Sequence, residues 1–148
     1  MKLCFMCTGK TSVLQLINYC FGDSEYPQTP EFQKLLVVFL EIEANQESFT
    51  IERQLFSRKK TAYIHFCQID DLAANHRSIE VNVSQKIDEE SISSFILSQI
   101  GLKGIQLKQA PTQEASETNT LSFRDLLWLC YLKRSRVGGE QLLFENEG

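Results

Sequence analysis

Hydrophobic positions along this chain switch from a helical to an alternating period and back again, and the switches mark out its elements. After Lys10, apolar residues fall at Val13, Leu14, Leu16, Ile17, Cys20 and Phe21, the spacing of a helix over about 10–21 that buries one broad stripe. Gly22 supplies a left-handed stop, and the two prolines of "DSEYPQTPEFQ" read as a surface loop. Near Val38 the period falls to two. Val38, Leu40, Ile42 and Ala44 share one face against Phe39, Glu41 and Glu43, and after the turn "NQES" the run Phe49 to Phe56 sets Phe49, Ile51 and Leu55 against Thr50, Glu52 and Gln54. Thr61 to Ile69 predicts a third strand and Ser78 to Val83 a fourth, with Ile79, Val81 and Val83 facing one way, so that residues 36–83 form an antiparallel meander.

Helical spacing returns at Ile92, Phe95, Ile96 and Ile100, predicting a helix over 89–100 with Asp88 as N-cap, Glu89 and Glu90 in the first turn and Gly101 as the stop. Residues 103–120, with "APTQEASETNT", read as a flexible loop. Ser122-Phe-Arg-Asp125 forms a capping box before a helix over 122–133. From Leu126 to Leu132 that helix is apolar on every side, which predicts deep burial or docking onto something else, and self-association of the isolated chain. The expected class is α/β with an α+β sub-architecture: one helix, an antiparallel β-subdomain, then two further helices.

Composition narrows the functional classes. With 148 residues, 43% hydrophobic and 23% charged, the chain suits one soluble globular unit, read as a single lobe over 1–148. A net charge of −4 gives no global basic footprint, and the local run Arg58-Lys59-Lys60 reads as a solvated turn. No apolar run approaches the roughly 20 residues of a membrane span, and residues 1–15 lack a signal-peptide core; both point to a cytoplasmic protein. Five cysteines, an odd number set mostly in apolar segments, read as reduced thiols.

The sharpest chemical feature is Gly9-Lys10-Thr11, placed where the first helix begins. A phosphate-binding loop reads G-x-x-x-x-G-K-[ST], and Cys4 stands where its first glycine belongs. The chemistry needs successive backbone N–H groups curled around an anion, a helix N-terminus aimed at the phosphates and a lysine on the β/γ charge. Thr8, Gly9, Lys10, Thr11 and Ser12 supply these parts, with the Thr11 hydroxyl as the ligand to Mg²⁺ and Lys10 as the charge partner of ATP. The competing reading is a chance Gly-Lys-Thr at a helix start. Cys4 and Cys7 form a C-x-x-C, a redox spacing without a convincing strand before it. Asp70-Asp71 ends an apolar run as a Walker B acid would, but His65 and Gln68 interrupt it, and an antiparallel strand entering an acidic turn is the preferred reading. His65 and His76 read as isolated residues without triad partners.

The stretch "TGKTSVLQLINYCFG" resembles the first helix of the head domains of SMC-like and recombination-repair-type ABC ATPases, and the resemblance extends to the β-subdomain, to Glu52-Arg53 in its second strand and to "LSFRDLLWLCYLKRSRVGGEQLLFENEG". It implies the first lobe of a P-loop head: an ATP-Mg²⁺ binding lobe that does not hydrolyse ATP alone, completed by a C-terminal lobe or second subunit supplying Walker B and signature elements, with DNA as a partner of the complete assembly. One departure is that Lys133 and Arg134 stand where the family's Q-loop glutamine is expected. A reading of a different class, a non-catalytic protein-interaction module with a degenerate loop, stays open beside it.

Overall fold

The computed structural model describes residues 10–83, 90–108 and 118–130, and over these the chain is an α+β protein with mixed helices and antiparallel sheets. Helix α1 runs Lys10–Cys20 and ends as its sequence dictates. The Asp23 N–H donates to the Asn18 carbonyl and the Gly22 N–H to the Tyr19 carbonyl, at 3.1 and 3.0 Å, with Gly22 at φ 106°. That is a Schellman close, which a Cβ-bearing residue would adopt only under strain.

Four strands follow: β1 (Val37–Ala44), β2 (Glu47–Gln54), β3 (Thr61–His65) and β4 (Ser78–Asn82), hydrogen-bonded in the order β1-β2-β3-β4 and antiparallel throughout. The predicted alternation holds on the core face, where Val38, Phe49, Ile51, Leu55, Ala62, Ile64, Val81 and Val83 are buried with Leu16, Tyr19 and Cys20 of α1 in one cluster. Two positions on α1 differ from the predicted stripe. Leu14 is 43% exposed, while Tyr19 is buried, because its hydroxyl donates to the Gln54 carbonyl at 2.6 Å and its ring lies beneath Arg53.

The third strand stops at His65 rather than Ile69, and Ile69–Asp71 form a 3-10 turn instead. The returning chain lies across the polar face of the sheet: the Thr50 hydroxyl donates to the Cys67 carbonyl at 2.8 Å, and the Ile69 N–H to Glu41 Oε2 at 2.9 Å. Thr50 is fully buried in consequence, although its alternation assigns it to the solvent side. Asp70 and Asp71 thus sit in an acidic turn after an antiparallel strand.

Helix α2 (Ile92–Gln99) starts three residues inside the predicted helix. Ser91, not Asp88, is the N-cap, accepting from the Ser94 N–H at 3.0 Å. The reason is backbone pairing: the Asn82 N–H donates to the Glu90 carbonyl at 2.8 Å and Asn82 bridges Ser91, which holds this approach extended. Within 103–120, read from sequence as loop, Gln106–Lys108 (β5) pairs antiparallel with Thr118–Thr120 (β6). Helix α3 (Phe123–Cys130) follows the expected capping box, the Ser122 N–H donating to Asp125 Oδ2 at 2.8 Å and the Asp125 N–H to Ser122 Oγ at 3.3 Å. It docks through Phe123, whose ring meets Phe21 edge-on at 4.9 Å and whose N–H donates to Ser93 Oγ at 2.8 Å.

Candidate functional site

The Gly-Lys-Thr end and the sheet are joined by α1. Lys10, Thr11 and Ser12 are the first described residues of the helix, and Ser12 is half-buried. Thr8 and Gly9, like Cys4 and Cys7, lie outside the described residues. The first N–H groups of an α-helix have no acceptor within it and carry its positive dipole end. No acidic side chain stands in the first turn of α1 to oppose an anion there. By residue type, Lys10, Thr11 and Ser12 carry one amine and two hydroxyls, donors of the kind a phosphate and a hydrated Mg²⁺ call for.

The opposite end of α1 is anchored by Arg53, which alternation puts on the core face of β2 among Phe49, Ile51 and Leu55. Arg53 is 7% exposed, and its guanidinium donates to the carbonyls of Tyr19 and Asp23 and stacks 3.7 Å over the Tyr19 ring. Asp23, itself buried, accepts from Asn18 and pairs with Arg124 of α3 at 3.5 Å. Burial lowers the Arg53 pKa, against the raising influence of Tyr19, Cys20 and Asp23. Burial likewise raises the Tyr19 hydroxyl and pushes the Cys20 thiol up to about 12. One residue thus ties together the end of α1, the sheet and, through Asp23, α3.

On the polar face of the sheet lies a constellation that spacing did not disclose. His65 Nε2 meets Glu52 Oε2 at 2.8 Å, His65 Nδ1 meets His76 Nε2 at 2.8 Å, and His76 Nδ1 meets the Ala74 carbonyl at 2.8 Å. His65 and His76 are therefore not isolated. Glu52 and His65 are neighbours on adjacent antiparallel strands, whereas His76 arrives from the loop before β4, and sequence separation hides that approach. In each contact one ring nitrogen faces an acceptor or a second ring nitrogen at hydrogen-bond distance, so the row links Glu52 through two imidazoles to the Ala74 carbonyl. A nucleophilic triad needs a hydroxyl or thiol in the third place, and here a second imidazole occupies it.

No cluster of three or more His, Cys, Asp or Glu that could hold a metal ion occurs among the described residues. No described helix is long and apolar enough to cross a membrane. Cys20 and Cys67 are free thiols, the first buried and the second partly so. Comparison of the chain with protein-family models, with curated proteins and with solved structures gives no match.

Proposed function

We propose that this chain is the nucleotide-binding lobe of a P-loop ATPase head of the SMC-like kind, holding ATP and Mg²⁺ through Thr8, Gly9, Lys10, Thr11 and Ser12. The observation that carries the reading is that Lys10 and Thr11 of the Gly-Lys-Thr motif lie in α1, in a helix as the lysine and threonine of a phosphate loop do. Two further features support it. An antiparallel sheet follows that helix directly, as in the first lobe of such heads, and the Glu52-Arg53 pair noted in the resemblance includes the residue that fastens the far end of α1.

In this reading Lys10 neutralises the β/γ-phosphates, backbone N–H groups cradle them, and Thr11 ligates a Mg²⁺ that otherwise keeps water and phosphate oxygens. Turnover belongs to the complete head, with the acid and the water-positioning group supplied by a complementary lobe or second subunit. Titration of the chain with a fluorescent ATP analogue and Mg²⁺ tests the assignment. Saturable binding is expected, with a loss of about tenfold or more in Lys10→Ala and little change in Cys7→Ser, because the cradle uses backbone groups. Equal loss in both variants, with sensitivity to thiol oxidants, favours redox use of Cys4 and Cys7. No binding by the unmodified chain leaves the second reading, an interaction module, which the 76% exposure of Leu36 and 48% exposure of Phe56 at one end of the first hairpin favour.

A further inference from the structure

Strand β4 is the last of its sheet, and its outer edge borders α2. Its register fixes which backbone groups point outward. The Val83 N–H donates to the Lys60 carbonyl, and Val81 and Ile79 are opposite Ala62 and Ile64, so the antiparallel alternation turns the N–H and C=O groups of Ile79 and Val81 towards β3 and those of Glu80 away from it. Asn82 also points outward, but its N–H is taken by the Glu90 carbonyl, which closes that end of the edge. The Glu80 backbone has no hydrogen-bond partner among the described residues.

These groups open on a groove of about 450 Å³ between β4 and α2, with Ser94, Phe95 and Ser98 on the helix wall. Ser94 is 2% exposed, and its hydroxyl has no hydrogen-bond partner among the described residues. The strand edge is the groove's open set of hydrogen-bonding groups, and the enclosed Ser94 hydroxyl lies within the adjoining helix wall with no partner among the described residues.

We propose that this groove takes an extended basic peptide segment as a fifth strand beside β4. Main-chain pairing with Glu80 supplies affinity, as in other strand additions to a sheet edge. The alternation of a strand supplies specificity. The peptide residue opposite Glu80 lies on the same face as the Glu80 carboxylate and is lysine or arginine, while its two neighbours turn towards the helix wall, where the serines favour alanine, serine or threonine. Glu80 and Glu90 outweigh Lys103 among the charged residues of the groove, which favours a cationic segment. A second copy of the chain is disfavoured, because two β4 edges related by a two-fold through Glu80 would set like charges opposite one another.

The test needs no nucleotide and stands apart from the ATP assignment. The labelled 148-residue chain is titrated with acetyl-Thr-Ala-Lys-Ala-Thr-amide and with the same peptide methylated on the lysine backbone nitrogen. The first should shift the amides of Ser78 to Asn82 and Ser91 to Ser98 saturably and protect the Glu80 amide from exchange. The methylated peptide should bind at least about tenfold more weakly, because it loses a ladder donor and crowds the edge. Glu80→Lys, at an exposed position, should weaken binding of the lysine peptide and restore binding of a peptide carrying glutamate in its place. Equal binding of the methylated peptide, shifts confined to another surface, absence of saturable binding, or a Glu80 amide already protected in the peptide-free chain would each overturn the proposal.

Discussion

Asn45 and Gln46 turn the first hairpin with φ of 52° and 65°, the doubly left-handed geometry of a two-residue turn whose twist matches that of its strands. Asparagine tolerates this region and glutamine does so at a cost, so Gln46→Gly should stabilise the chain by about 1 kcal/mol, read as a higher urea midpoint at unchanged slope. Cys20 gives a second outcome at the same scale. Its thiol is fully buried, and its pKa is raised from an ordinary 9.0 to about 12 by burial, against the lowering influence of Arg53. A raised folded-state value means that the unfolded chain releases this proton first. The associated stability is whole below pH 9 and falls as the pH rises towards 12, by up to about 1.4 kcal/mol per pH unit. Alkaline denaturation of Cys20→Ala against the parent should show the parent losing stability faster in that window. From sequence Arg53 was singled out only within the Glu52-Arg53 pair of the resemblance; its burial on the core face, and the carbonyls it finds, depended on where α1 ends in space.

At the scale of elements, the capping box is the most sharply readable feature, because Ser122 and Asp125 act over three residues and need no tertiary partner. Ser122→Ala should remove one cap acceptor and cost about 1 kcal/mol, seen as earlier melting or as faster amide exchange across Phe123–Leu127. The sheet was legible for a similar reason: a period of two over Val38–Ala44 and Phe49–Leu55 leaves no other way to bury those side chains together. What escaped depended on contacts between distant segments. The start of α2 moved to Ser91 because Asn82 captures the Glu90 carbonyl, and the third strand ended early because the chain returns across Thr50. The row of Glu52, His65 and His76 escaped for the same cause, since no local spacing reports that a loop folds back over a strand.

For the whole molecule, α3 decides how the chain behaves in solution. Phe123 packs on Phe21 and Arg124 reaches Asp23, while Leu126 and Leu127 are only partly buried. The apolar sequence that continues from these residues, whose side chains from Trp128 on lie outside the described residues, should drive self-association, and sedimentation of the purified chain should show species larger than a monomer that resolve when a complementary lobe is supplied. A well-behaved monomer that hydrolyses ATP unaided would overturn the partial-head reading. The Arg53 anchor bears, finally, on the order of events during synthesis. The 11 described residues of α1 fall short of the roughly 12–15 that a helix needs to persist alone in water. Its carbonyl partners on Tyr19 and Asp23 wait for a side chain 34 and 30 residues further on. The helix is therefore made before the side chain that secures it: until β2 has emerged and paired, the nascent α1 is a fluctuating, protease-sensitive stretch of chain, and the sheet acts as the template on which it becomes a helix.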